Sequence, residues 1–99
     1  MDMRGSIKVI VINVKDNVAT ALKALKAGTK VAAEVYGSIE KIELLSDIPI
    51  GHKFALRDME KGEPVIKYGE PIGQSTAGIA RGEYVHVHNV VSQSRGVLR

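Results

Sequence analysis

The three histidines of this chain fall in two short stretches, His52 in Gly51-His52-Lys53, and His86 with His88 in Tyr84-Val85-His86-Val87-His88-Asn89. Imidazole titrates near neutral pH and can give a proton, take one or bind a metal. In an extended strand alternate residues share a face, so Tyr84, His86 and His88 are expected to point one way while Val85 and Val87 point into a core. The two imidazoles of that face would stand about 7 Å apart, near enough to converge on one ion or one substrate. The alternative is an exposed strand face on which histidines happen to alternate with valines. An H-x-H pair does not by itself separate the two.

Two lysine-bearing turns complete the candidate chemistry. Gly51-His52-Lys53 follows Ile48-Pro49-Ile50, which predicts a tight turn running into a strand, where loop residues commonly touch ligands; a merely solvated turn reads the same way. Lys67-Tyr68-Gly69 with Pro71-Ile72-Gly73 reads as a second turn. Its glycines would let backbone N–H groups face an anion, or would simply allow a hairpin. The absence of cysteine excludes disulfides, thiolate nucleophiles and iron–sulfur ligation. No G-x-S-x-G, phosphate-binding glycine loop or H-E-x-x-H is present, so hydrolase triads and nucleotide binding have no support.

These residues must be placed by a small scaffold. A chain of 99 residues makes one domain, and at this length about two-thirds of the unfolded surface can be buried. With 44% hydrophobic and 25% charged residues and a mean hydropathy of zero, it reads as an ordinary globular domain. Ile7 to Val14 is nearly continuous in β-branched residues and predicts a buried strand. Asp16, with Asn17, reads as the cap of one short helix, with Val18, Leu22 and Leu25 at i, i+4 and i+7 and Gly28 as its stop.

From Lys30 onward short segments dominate: 31–36, 38–45, 52–56, 64–68, 72–77 and 84–91. Ten glycines and three prolines in the whole chain punctuate them, which indicates tight reversals in a mostly β domain. A pattern of apolar residue, two residues, glycine, two residues and valine recurs as Leu25-Gly28-Val31, Met59-Gly62-Val65 and Ile79-Gly82-Val85. The irregular spacing argues against a solenoid, so these are expected to be three similar corners, each a short helical turn whose apolar residue seats in the core, followed by a glycine at positive φ that leads into a strand.

Charge and hydropathy bound the partners. The net charge of +3 arises from 14 basic and 11 acidic residues interspersed along the chain, with four aromatic residues. Binders of nucleic acid usually cluster their cations or interleave them with stacking rings, so no nucleic-acid partner is expected. A mild positive field suits a small acidic ligand. No stretch approaches the roughly 20 apolar residues of a membrane helix and no secretory core is visible. The reading is cytoplasmic, with no membrane partner.

Four motifs in order, Asp16-Asn17-Val18-Ala19-Thr20-Ala21-Leu22, Gly51-His52-Lys53-Phe54-Ala55-Leu56-Arg57-Asp58, Val65-Ile66-Lys67-Tyr68-Gly69-Glu70-Pro71-Ile72-Gly73 and Gly82-Glu83-Tyr84-Val85-His86-Val87-His88-Asn89, resemble the small amino-terminal domain of the altronate and galactarate dehydratase family. The small subunit of sulfolactate sulfo-lyase is similar as well. The resemblance runs from about Val14 to Asn89, with 90–99 left as a tail of a single domain, 1–99. It implies a SAF-type β-clip fold, a bent two-stranded ribbon folded over on itself, which agrees with the turn-rich β pattern.

The function implied is that of a small subunit of a carbon–oxygen lyase, a hydro-lyase of sugar-acid metabolism. It would complete the active site of a separate large catalytic subunit and be inactive alone. The alternatives are the small subunit of a sulfolactate sulfo-lyase and a non-catalytic ligand-binding or accessory module. The resemblance implies catalytic or metal-contacting roles for His52, His86 and His88, and substrate binding by Lys53, Lys67, Tyr84 and Asn89. A divalent metal, iron, magnesium or manganese, would be held mainly by the large subunit. The chain departs from the family pattern at Asn13 and Tyr84, where histidine is usual, so a histidine-rich metal site does not carry over complete. Self-association of the isolated chain is the remaining expectation, its docking surface being left bare.

Overall fold

The computed structural model describes residues 7–92. Nine strands form within them: β1 (Val9–Ile10), β2 (Val18–Ala21), β3 (Lys30–Val35), β4 (Ser38–Glu43), β5 (Lys53–Ala55), β6 (Pro64–Lys67), β7 (Glu70–Ser75), β8 (Tyr84–Val85) and β9 (Val90–Ser92). A central antiparallel sheet runs β1-β2-β5-β8. A two-stranded arm, β3-β4, and a three-stranded arm, β6-β7-β9, complete the fold, which extends 51 × 22 × 22 Å.

The central sheet is short because its residues must serve two cores. Register places Ala19 opposite Phe54 and Phe54 opposite Tyr84, so these share one face. That face buries Ala19, Ala21 and Phe54 against Val31, Val35, Ile42 and Leu44 of the first arm, with Tyr84 packed at the margin. The other face presents Val18, Ala55 and Val85 to Val65, Met59 and Ile79, with Ile72 and Val90 half-buried beside them. The alternation of β3, buried at Val31, Ala33 and Val35 and exposed between, is what a strand with one wet face requires.

The corners stand where the spacing predicts, but each is a β-turn and not a helical turn. Leu25, Met59 and Ile79 are buried, the following turns close through Thr29 N–H to Lys26 O, Glu63 N–H to Glu60 O and Glu83 N–H to Ala80 O, and Gly28, Gly62 and Gly82 have φ of 89°, 90° and 88°. Positive φ at the third turn position is the signature of a type II turn. There is a fourth corner with phenylalanine in place of valine: Ile48, Gly51 at φ 81° and Phe54, closed by His52 N–H to Pro49 O. The corners pair in space, Leu25 with Ile48 and Met59 with Ile79, and each pair brackets one hairpin arm.

No helix occurs among the described residues, although the domain is the small β fold expected. Val18–Ala21, placed in a helix by its spacing, is strand β2, hydrogen-bonded between β1 and β5. A helix there would bury only one stripe, whereas the strand buries Val18, Ala19 and Ala21 and leaves Leu22 exposed; tertiary pairing overrides a weak local preference. Gly28 is a turn residue and not a helix stop. The strand expected over Ile7 to Val14 is confined to Val9–Ile10, because Ile7, Ile10, Ile12 and Val14 are exposed and β1 has only β2 as a neighbour. Part of the expected tail, Val90–Ser92, forms β9 against β7, while 93–99 lies outside the described residues.

Candidate functional site

The site sits at the end of the central sheet where β5 begins and β8 ends. Lys53 is opposite Val85, and Phe54 opposite Tyr84, so the residues just before β5 and just after β8 emerge side by side. His52 precedes Lys53 on the Tyr84 face, and the Tyr84 hydroxyl lies 2.7 Å from His52 Nδ1. The His52 and Tyr84 rings are 5.7 Å apart. His86 stacks on Tyr84 with centroids 5.4 Å apart and planes 9° from parallel, and stands 4.9 Å from the His52 ring. The His88 ring lies 5.4 Å from Tyr84 on a tilt. Three histidines and one tyrosine, separated by up to 36 positions in the sequence, thus form one ring cluster.

The cluster is not made by strand alternation. The expected strand 84–91 breaks after Val85, and residues 86–89 turn: Asn89 N–H donates to His86 O, and Asn89 Oδ1 accepts from His86 N–H at 2.9 Å. Asn89 Nδ2 also donates to Tyr84 O at 2.9 Å. An asparagine that offers the backbone these partners competes with the ladder and wins at the sheet edge. Two consequences follow. Val87, expected in the core, is 82% exposed. Asn89, expected as a substrate contact, is buried and spends its amide holding the turn that presents His86 and His88.

Lys53 leaves the opposite face of β5, towards the second arm. With His86, Ile72, Val87, Val90 and Ser92 it lines a cavity of about 220 Å³. Partial burial pulls the Lys53 ammonium below the ordinary lysine range, and the charge of Lys67 pulls it further. Lys67 sits near the tip of the β6–β7 hairpin with Nζ 4.8 Å from the Tyr68 ring centre, a cation–π distance. His86 is also held below the usual imidazole value, first by partial desolvation and then by His52, Lys53 and His88. Lys53 and His86 thus share one opening, with an apolar floor beneath. Such a surface favours an anion and keeps His86 neutral, able to accept a proton, at neutral pH.

The β6–β7 turn shows the hairpin reading of Lys67-Tyr68-Gly69, with its N–H groups taken by the chain's own carboxylate and not left for a ligand. It is a hairpin, with Tyr68 at φ 60° and Gly69 at φ 75°, and its N–H groups do face an anion, the side chain of Asp16. Asp16 and Asn17, expected as a helix cap, are buried and bind this hairpin instead. Asn13 lies at the same tip: a Cβ on Gly69 would stand 2.9 Å from Asn13 Nδ2. Spacing could not reveal this clamp, since Asp16 and Gly69 are 53 residues apart. The signal available was two polar residues ahead of an apolar run, which a cap explains equally well.

Comparison with known proteins places this geometry. The profile of the altronate/galactarate dehydratase SAF domain matches residues 7–93. The altronate dehydratase of Escherichia coli K12 is 49% identical over 80 residues, 81% of this chain and 15% of that protein. A (2R)-sulfolactate sulfo-lyase subunit alpha from Chromohalobacter salexigens is 52% identical over 50 residues, 50% of this chain and 53% of the subunit. Galactarate dehydratase (L-threo-forming) of Escherichia coli K12 is 38% identical over 78 residues, 77% of this chain and 14% of that enzyme. The chain therefore spans about a seventh of the dehydratases and about half of the sulfo-lyase subunit. No helix among the described residues is long and apolar enough to cross a membrane. On the match of nearly its whole length, the chain belongs to the altronate/galactarate dehydratase SAF domain family.

Proposed function

We propose that this chain is the small subunit of a carbon–oxygen lyase that eliminates water from a sugar acid, and that it completes the active site of a separate large catalytic subunit. The observation that carries the reading is the His52–Tyr84–His86 cluster, whose His86 shares an open cavity with Lys53 and an exposed Val87. In a β-elimination a proton leaves the carbon next to a carboxylate, and hydroxide leaves the following carbon with a second proton, as water. The reaction needs a base, an acid for the leaving group and positive charge near the carboxylate. His86, kept neutral by its surroundings, suits the base. Tyr84 and His52, joined by one hydrogen bond, suit the acid. Lys53, an ammonium group that faces an opening with an apolar floor, suits the carboxylate, and Lys67 at the neighbouring hairpin tip adds to the positive field.

What this chain lacks is enclosure. His88 and Val87 are exposed, and an open cleft cannot exclude water from a substrate. A large partner that covers the 86–89 turn would supply the wall, and with it the remaining groups. A metal fits this chain's own donors poorly: among the described residues no three His, Asp or Glu side chains are placed to hold one ion together, and His52 Nδ1 is already engaged by Tyr84. On this proposal a divalent ion would take its ligands mainly from the partner, and no step above is routed through one.

The test is reconstitution. The purified chain, then the chain coexpressed with a large subunit of the same family, is assayed on aldonates, galactarate and sulfolactate with divalent iron, magnesium or manganese. Turnover only in the mixture is the expected result, and turnover by this chain alone overturns the division of labour. The 52% identity to a sulfolactate sulfo-lyase subunit favours one second reading, in which sulfite is the leaving group. Release of sulfite from sulfolactate without dehydration of aldonates would establish it.

A further inference from the structure

Strand β3 has an open edge. Among the described residues it is hydrogen-bonded to β4 alone. Its side chains alternate: Val31, Ala33 and Val35 are buried in the first core, while Lys30, Ala32 and Glu34 are exposed. The backbone alternates with them. Lys30 is opposite Glu43, and one step earlier Leu44 N–H donates to Thr29 O. Thr29, Val31, Ala33 and Val35 therefore turn their N–H and C=O groups to β4, and those of Lys30, Ala32 and Glu34 point the other way. No backbone partner for these groups occurs among the described residues. A cavity of about 330 Å³ lined by Ile7, Lys8, Val9, Lys30, Val31 and Ala32 leaves room beside this edge.

Lys30 and Glu34 have no ionic partner among the described residues, and four residues of extended strand hold them about 13 Å apart, too far to meet each other. A second copy changes this. Antiparallel pairing of β3 with its own copy, about a two-fold axis at Ala32, sets Lys30 opposite Glu34 of the second copy on both sides of the axis. Ala32 then faces Ala32 between them. These are the residues whose backbone groups point outward, so each opposed pair exchanges its N–H and C=O bonds in the same register. On the buried face Val31 meets Ala33, a large residue against a small one. A register centred on Lys30 or Glu34 would oppose like charges, and one centred on Val31 or Ala33 would leave both charges unmatched. Edge strands also carry charge merely to keep other strands away, but that use gives no reason for opposite signs placed symmetrically about an alanine.

We propose that β3 is a self-docking edge: two copies of this chain join β3 to β3 about Ala32, in a continuous sheet ordered β4-β3-β3-β4. The occupant is a second copy because the edge is complementary to itself in charge and in register. None of His52, Lys53, Tyr84, His86 and His88 lies on β3, and the inference does not depend on the lyase reading.

The isolated chain is followed by sedimentation velocity over a range of concentrations as the parent, Lys30→Glu, Glu34→Lys and the Lys30→Glu/Glu34→Lys double variant. The parent is expected to dimerise. Each single reversal opposes like charges on both sides of the axis and should weaken the dimer about tenfold. The double reversal restores opposite signs and should recover most of the affinity. The chain has no cysteine, so Ala32→Cys gives a unique thiol on the axis, where opposed Cα atoms would stand about 5.5 Å apart and a disulfide can close. Mild oxidation should yield a covalent dimer of Ala32→Cys but not of Lys41→Cys, which is opposite Ala32 on the far strand of the arm. All four positions are exposed, and the charge series and the cysteine pair each test the proposal alone. A parent that stays monomeric, a dimer indifferent to the single reversals, a double reversal without rescue, or crosslinking at position 41 and not at 32 would each overturn it.

Discussion

The two hairpin arms are built alike and used differently. Each is bracketed by a pair of glycine corners, and each turns at a Tyr-Gly tip whose residues both have positive φ, Tyr36-Gly37 in the first arm and Tyr68-Gly69 in the second. The first tip is secured from outside: Tyr36 is exposed, and its hydroxyl accepts from Arg57 Nε at 2.6 Å, while Arg57 also pairs with Glu63. The second tip is secured from within by buried Asp16, carries Lys67, and gains β9 as a third strand. The shared scaffold thus needs only turns and alternating apolar residues. What distinguishes the arm that serves the site is buried polar attachment, which costs more to build and fixes position more narrowly.

The comparison can be broken at the corners, where the largest effect is expected. Gly28 and Gly82 have nearly the same φ, but a Cβ at Gly28 meets nothing within 4 Å whereas at Gly82 it would collide with the Glu43 carbonyl oxygen. Gly82→Ala should therefore cost about 3 kcal/mol or more, and Gly28→Ala about 1 to 2, the left-handed penalty alone. Chemical unfolding of both variants measures the difference; equal losses would mean that the two pairs of corners are interchangeable.

Next in size is Tyr84→Phe, which keeps the ring stacked on His86 and removes the bond to His52. A loss of about 1 kcal/mol is expected in chemical unfolding. In a reconstituted enzyme the loss of activity should exceed that of Tyr36→Phe, since the tip of the first arm lies outside the site. Surface residues of the site should cost less still. His88→Gln and Val87→Ser are expected to shift stability by under about 0.5 kcal/mol, yet to lower the activity or affinity of the complex with a large partner, measured by turnover and by titration calorimetry. If stability falls as far as activity, the 86–89 turn is structural.

The smallest effect sharpens the electrostatic side. His86 is held below the ordinary imidazole value in the fold, so the unfolded chain takes up its proton first as pH falls. Stability is then full above about pH 6.5, the unperturbed imidazole value, and declines as pH drops through that value towards the folded one. Replacing His86 with Gln should flatten this slope in urea unfolding between about pH 5 and 7.5, and a slope unchanged by the replacement would show that other groups set it.

Much of this was legible in the residues. Glycine at a fixed offset from a buried apolar residue foretold three corners because positive φ is a local demand that few other side chains meet. The fourth corner escaped because Phe54 stands where the others have valine. His52, Tyr84, His86 and His88 were picked out by residue type, and they do cluster, but through the Asn89 turn and not through strand alternation. Asp16-Asn17 was misread for a different reason. A carboxylate and an amide ahead of an apolar run satisfy N–H groups equally well in a helix or in a distant hairpin, and only the fold decides which N–H groups arrive.

The hydrogen bond between Tyr84 and His52 has a consequence for the direction of proton flow. When the phenol donates to Nδ1, the neutral imidazole carries its hydrogen on Nε2, which is then a donor. When the phenol turns about its C–O bond and accepts from Nδ1–H, Nε2 is left with a lone pair and is an acceptor. The heavy atoms stay 2.7 Å apart in either state. The turn of the hydroxyl follows the tautomer and does not make it: a proton must leave one ring nitrogen and another arrive at the other by exchange with solvent, and the phenol then serves either ring form with no rearrangement of the chain.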